Sequence, residues 1–443
     1  MKSVISDLAR KGRTLASGPV AKASIVSVAI KVTGLALSFA QAVIAARLLG
    51  VEGYGMVAVA LSAAQIGATL ALFGFGSLAV REIAGWLASK ATHLLVPFAR
   101  RAAALVLLLS AVGATIVIAI AGFWPEYRSV LLIGAAIIPV LAFIQLLRGI
   151  AQGFGDVAGA QWPGEIMRPL LLIGLIGLSL TFAPLEPSAF LILFAVAGFG
   201  GVIAAALLVR IHLITHSSAV VAHFAKPRWL GKAAPFFGLS LLAIVQSEFA
   251  TLMLALLASP EQAGLYQPIA RLTPIIALPA SAAAMRYAPR ISELWNSQQL
   301  PRLIGVTRVY TLATTGLTTL ATLILAGLGT WILQIFGADF VSVAALLWIV
   351  GAGQIFNTAC GPVGYLLTMT GHTRIATIAK ATGVTIALSI SALLIPYQGT
   401  AGAAIGVAAG LVVWNIISLG AVRRALGFDP SLLQFITGKK QRA

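Results

Sequence analysis

Six ionisable side chains interrupt the long apolar runs of this sequence: Lys31, Glu165, Arg168, Glu248, Arg271 and Lys380. Charges inside a bilayer-spanning segment are costly and usually face a cavity or a partner. Four of the six are cationic. Gathered around one cavity, Lys31, Arg168, Arg271 and Lys380 would supply positive potential to an anionic group leaving water. Arginine suits phosphate in particular, since its planar fork offers paired donors and a permanent charge. Glu248 stands near the middle of LLAIVQSEFATLML, where reaching the interface is much harder. It is therefore the first carboxylate to consider for coupling an ion to movement. Simpler readings stand beside these. Glu248 and Arg271 could bond to each other as a structural pair between neighbouring helices. Lys31, in the first third of its run, could extend its ammonium to the membrane surface. Arg81 and Arg148, at inner ends of their runs, could admit an anionic headgroup or serve as ordinary cytoplasmic-side charges.

The elements that must position these residues are set by composition. Of 443 residues, 59% are hydrophobic and 9% are charged. Soluble domains carry roughly a quarter charged residues, so this chain has too little polar surface for a soluble body of its size. It reads as a polytopic membrane protein. The fold must be all-α, because lipid satisfies no backbone polar group and a helix satisfies its own. Twelve spans are expected, near 24–46, 54–78, 102–124, 129–150, 162–182, 188–210, 234–257, 263–285, 307–328, 340–367, 375–395 and 400–422. They divide into an N-terminal six-helix lobe (1–210), a linker (211–231) and a C-terminal six-helix lobe with a basic tail (232–443), the two lobes enclosing a central cavity. The first apolar run is long enough to be retained as a span rather than removed as a signal. Residues 1–18 read as a short interfacial helix.

The formal charge is +18, from 30 Lys and Arg against 12 Asp and Glu. The excess lies in alternate short loops and both ends of the chain, including Lys90, Arg100, Arg101, Arg210, Lys226, Lys232, Arg286, Arg290, Arg302, Arg423 and Arg424. The intervening loops hold only Arg47 and Arg128. That alternation places both termini in the cytoplasm, against a leaflet rich in anionic lipid. No continuous basic stripe points to nucleic acid. Cys360 is the only cysteine and reads as a small packing residue. Neither Cys nor His spacing points to a metal, and no cofactor is implied. His212, His216 and His223 fall in the polar linker and read as a solvated or headgroup-level loop.

An internal repeat is visible. LLGVEGYG (48–55) and LLASPEQAG (256–264) both follow the first span of a lobe. Glu52 and Glu261 stand 209 positions apart (261 − 52), and the same offset pairs Gly55 with Gly264 and Arg81 with Arg290. Ser259, Pro260, Glu261 and Gln262 read as N-cap, first-turn proline, first-turn acid and capping-box glutamine. Glu52 would likewise start a helix at the positive end of its dipole, a reading preferred here to substrate contact. Trp162 and Trp414 fit packing or the interface, with sugar stacking as the alternative.

The stretch Ala45–Gly55, AARLLGVEGYG, resembles the signature after the first membrane helix of the oligosaccharide flippase (polysaccharide biosynthesis protein) family. That family stands with the multidrug and toxin extrusion antiporters and the lipid II flippases. The glycine-rich inner turns at 149–169 and 366–383 resemble it more loosely. The resemblance implies alternating-access transport of a polyprenyl-pyrophosphate-linked oligosaccharide for O-antigen, capsule or exopolysaccharide, with a polysaccharide polymerase as a further partner. A cation-coupled drug antiporter of the same superfamily is the alternative, but it calls for more carboxylates in the spans. A membrane enzyme of polysaccharide assembly fits least, because the outer loops are short and no Ser/His/Asp set is apparent.

Overall fold

The computed structural model describes residues 19–216 and 229–436. The expected interfacial helix at 1–18, His223 and the last basic residues of the tail lie outside them. Among the described residues the chain is all-helical, with no strand.

Helix α1 (Pro19–Leu72) is a 54-residue helix whose backbone leaves the helical region at Gly50, at φ 68° and ψ −177°. Positive φ is open to glycine at no steric cost, so Gly50 divides the element into two apolar runs. Then come α2 (Phe75–Ala88), α3 (Leu95–Phe123) and α4 (Arg128–Gly153). Next are α5 (Val157–Trp162), a π-helical turn (Pro163–Met167) and α6 (Arg168–Ser179). Pro163 and Pro169 lack the N–H that a regular helix needs, which fits the interruption here. Helix α7 (Pro187–His216) closes the first half.

The second half begins with α8 (Trp229–Leu257), α9 (Pro260–Ile276) and α10 (Leu278–Asn296). It continues through α11 (Leu300–Gly327), α12 (Gly329–Phe336), α13 (Leu346–Ala359) and α14 (Val363–Met369). Helices α15 (Thr373–Gln398), α16 (Thr400–Leu426) and the short α17 (Leu433–Ile436) complete it.

Nine helices among the described residues are long and apolar enough to cross a membrane, or ten if the bent pair α13 and α14 is one span. The difference from the twelve expected spans has two causes. Helix α1 contains two of them on either side of Gly50. The expected span at 162–182 is shared among α5, the π-helical turn and α6, none of which is long enough alone. Helix α7 also runs on through His216, so the polar connection is shorter than 211–231, and His212 and His216 are helical rather than in a loop.

The chain forms two compact units. Unit one comprises Met1–Leu48 and Ala63–Leu241; unit two comprises Leu49–Ser62 and Leu242–Ala443. In unit one α4 is central, packing on α2, α3 and α7. Its buried side chains include Ile137, Ile138 and Leu146. In unit two the closest partners are α15 and α16. A Cβ on Gly410 would stand 2.5 Å from the Gly383 carbonyl oxygen, so small residues set this approach. The segment after α16 is tied back to α11, with the Thr311 hydroxyl donating to the Pro430 carbonyl at 2.9 Å and Arg308 donating to Gln434 at 3.0 Å. Cys360 is buried among apolar neighbours.

The turns at 48–55 and 256–264 both start helical runs. Ser259 caps α9 by accepting from the Gln262 N–H at 3.2 Å, with Pro260 in the first turn. The Gln262 side chain does not close the expected capping box. Its Oε1 accepts instead from the Thr400 N–H at 3.0 Å and so caps α16, where Gly399 breaks the chain at φ 53°. Glu52 and Glu261 are exposed in the first turn of their runs.

Candidate functional site

The six ionisable residues of the spans fall in both units. Lys31, Glu165 and Arg168 belong to unit one, and Glu248, Arg271 and Lys380 to unit two.

In unit one the carboxylate of Glu165 sits on the π-helical turn, and Arg148 Nη1 donates to its Oε1 at 3.0 Å. Arg148 is thus committed to a partner rather than held open as a free cation near the end of α4. Gly34 makes room for this acid, since a Cβ there would stand 2.9 Å from the Glu165 Cβ. One turn earlier on α1, Lys31 is exposed and pairs with no described carboxylate. Arg168 lays its guanidinium 4.9 Å from the Phe194 ring centroid, a cation–π contact. Gln161 on α5 donates to Ser27 on α1 at 3.0 Å, joining the helix that carries Lys31 to the one just before the turn that carries Glu165.

Also in unit one, Arg81 is bound into a network. Its Nη2 donates to Glu82 Oε1 at 2.8 Å, and Lys232 Nζ donates to Glu82 Oε2 at 3.0 Å. The Arg81 guanidinium also lies 5.4 Å from the Phe236 ring centroid. Burial alone would raise the Glu82 carboxyl, but hydrogen bonds and charge from Arg81 and Lys232 hold it below the ordinary carboxylate range. His212 pairs with Asp156 at 3.1 Å and stacks on Phe154.

In unit two the expected alternative of a Glu248–Arg271 bond is not realised. Glu248 Oε2 accepts from the Ser62 hydroxyl at 2.7 Å, and its Oε1 from Ser247 at 3.3 Å. Arg271 instead lies close enough to the buried Tyr54 for its charge to act on the phenol, whose ring meets Phe340 edge-on at 6.3 Å. The two charges meet different parts of α1, Glu248 at Ser62 and Arg271 near Tyr54, eight residues apart. The outcome is an acid held by hydroxyls and a cation beside a phenol. Among the described residues neither charge has an ion-pair partner.

Lys380 lies at a small cavity of about 10 Å³ lined by α8, α15 and α16. Gln246 and Trp414 share the lining. Trp414 packs on Gly383 and Gly364, so its indole is a wall of this cavity. Trp162 is 42% exposed.

Sequence reasoning finds the charged residues but misses their neutral partners. Tyr54 is visible inside GVEGYG, and its phenol is the one polar group in that buried run able to receive Arg271. Ser62 and Gln246 carry no local signal. Glu82 stands next to Arg81 in sequence, a signal that points to their pairing.

The sequence model of one family, described as polysaccharide biosynthesis protein, matches residues 20–295. No curated protein matches. Among solved structures, the chain is similar to an inward-facing multidrug resistance MATE family transporter of the MOP superfamily. The TM-score is 0.70 at 16% identity, covering 91% of this chain and 98% of that one. It is also similar to a MOP superfamily transporter from Pyrococcus furiosus reported with a binding pocket of reverse polarity. There the TM-score is 0.62 at 14% identity, covering 92% and 96%. A third is the MATE multidrug transporter DinF-BH, at a TM-score of 0.59 and 16% identity, covering 90% and 95%. At such identities the likeness speaks for the fold.

Proposed function

Because the chain belongs to the polysaccharide biosynthesis protein family and is a multi-pass membrane transporter, we propose that it moves a polyprenyl-pyrophosphate-linked oligosaccharide across a bacterial inner membrane by alternating access. Both termini are cytoplasmic in this reading, and the product feeds O-antigen, capsule or exopolysaccharide assembly, with a polymerase downstream.

The observation that carries the proposal is the balance of charge left open in the spans. Glu165 is neutralised by Arg148. Among the described residues neither Lys31 nor Arg271 has a carboxylate partner, and the polar group beside Arg271 is the neutral phenol of Tyr54. Among the described residues Glu248 is the span carboxylate without a cationic partner, held by hydroxyls. A pyrophosphate head needs such an excess of cations, since it cannot enter a low-dielectric space without counter-charge. In this reading Arg271 is the principal phosphate contact, Lys31 and Arg168 add positive potential, and Arg81 with Lys232 receives the head at the cytoplasmic side. Glu248 is the site at which a coupling ion exchanges. The Pyrococcus furiosus transporter of this fold, with its reverse-polarity pocket, supports the idea that this architecture accommodates more than one sign of charge.

The second reading, a cation-coupled multidrug antiporter, draws on Glu248 and on the multidrug transporters of the same fold. Deleting the gene and following lipid-linked intermediates separates the two. Loaded carrier accumulating on the cytoplasmic leaflet supports the first; unchanged polymer export with lost drug resistance supports the second.

A further inference from the structure

Lys380 differs from the other span cations in its surroundings. It lies within unit two in a cavity whose other lining residues are all uncharged: Gln246 and Phe249 of α8, Gly383, Val384 and Ala387 of α15, and Val407, Gly410, Leu411 and Trp414 of α16. Among the described residues no carboxylate pairs with its ammonium and no side chain hydrogen-bonds it. The acids of this unit that lie in or beside its helices are engaged elsewhere, Glu248 by Ser62 and Ser247 and Asp429 by Arg423. An ammonium half-withdrawn from water without counter-charge is strongly disfavoured.

We propose that this cavity holds one small monovalent anion, of halide size, as the counter-charge of Lys380. Size and polarity choose the class. The space is about 10 Å³, enough for about one water-sized occupant. A phosphate, with its several oxygens and higher charge, would need more room and more donors than one ammonium and one amide. Lys380 supplies the charge, and the Gln246 side-chain amide offers a second donor. The walls formed by Phe249, Val384, Leu411 and the Trp414 ring are apolar and leave the two donors as the polar contacts of the occupant. Lys380 thereby leaves the set of substrate-contacting cations and becomes an anion-holding residue of α15. This holds whether the cargo is a lipid-linked glycan or a drug.

The test uses the purified full-length protein in detergent. Its melting temperature is measured as gluconate is replaced by chloride or bromide at constant ionic strength. A saturable rise with either halide is expected in the wild type. The rise disappears in Lys380→Gln and needs a higher halide concentration in Gln246→Leu. Equal melting in gluconate and halide overturns the proposal, as does a rise undiminished in Lys380→Gln. Should that variant fail to fold, bromide located by anomalous scattering in wild-type crystals decides. A peak beside the Lys380 ammonium supports the site, and peaks only elsewhere overturn it.

Discussion

Gly55 and Gly264 occupy reciprocal positions in the turns at 48–55 and 256–264. A Cβ on Gly55 would lie 1.8 Å from the Pro260 carbonyl oxygen, and a Cβ on Gly264 would lie 2.0 Å from the Val51 carbonyl oxygen. Val51 and Pro260 are themselves separated by the repeat offset of 209 (260 − 51). Each turn therefore offers a glycine to the other turn's backbone at the matching place, as expected when two copies of one motif cross face to face. The closeness explains why these positions hold glycine: the neighbouring atom is backbone and cannot swing aside.

From that geometry, Gly55→Ala and Gly264→Ala each destabilise the protein by about 1–3 kcal/mol through overpacking. Gly50 offers a control. Nothing lies within 4 Å of its Cβ position, but its φ of 68° with ψ −177° is a conformation kept almost entirely by glycine, so Gly50→Ala loses about 1–3 kcal/mol through the backbone alone. Thermal unfolding of the three variants checks this. A Gly55→Ala protein as stable as wild type contradicts the crossing.

These two turns and most of the spans were legible because their signals are local. Apolar runs, Gly50 and the Ser259-Pro260 start act within a few residues of where they stand. The pairing of charges was not legible. Ser62 and Glu248 are 186 residues apart, and Lys232 and Glu82 are 150 apart. Which face each helix presents decides such bonds, and hydropathy does not encode it. Gln262 shows the same limit on a smaller scale. Its sequence position suits a capping box, yet packing of α16 beside α9 offers the Thr400 N–H as a competing donor, and that donor wins.

The Glu82 network gives a prediction with a pH sign. A carboxyl held below its ordinary range in the folded state contributes stability above the unfolded value, about pH 4.3, and that contribution is lost as pH falls through the lowered folded value. Glu82→Gln therefore lowers the melting temperature at pH 7 and makes little difference at strongly acidic pH. Melting curves of the two proteins across the acid range should converge. Parallel curves would assign Glu82 no role in the titration.

Arg148 and Glu165 are each about one-third exposed, so their bond is screened and modest. Arg148→Ala alone should destabilise by about 1–2 kcal/mol, since it leaves the carboxylate without its donor. Adding Glu165→Ala should recover part of that loss. If Arg148 instead serves mainly to receive the substrate head, the double variant regains stability but not transport. A double-mutant cycle with both readouts separates the roles.

Glu248→Gln keeps the shape of the side chain and removes its charge, leaving the Ser62 hydroxyl an amide oxygen to donate to. The variant should reach the membrane at normal levels and lose the dependence of transport on the driving ion gradient. Uptake or flipping in proteoliposomes with and without a proton or sodium gradient measures this. Undiminished gradient dependence would place the coupling elsewhere.

Arg271 tests the central claim most directly, because it carries the proposed phosphate contact while its structural partner, Tyr54, is neutral. A charge-assisted bond of this kind is worth about 1.5–3 kcal/mol, so Arg271→Ala should reduce transport roughly ten- to a hundredfold. The measurement is the transbilayer distribution of lipid-linked oligosaccharide in cells carrying wild type, Arg271→Ala or no protein, at matched membrane levels. The account predicts that Arg271→Ala cells accumulate loaded carrier on the cytoplasmic leaflet, as the deletion does. Wild-type distribution and normal polymer export in the Arg271→Ala cells would contradict it.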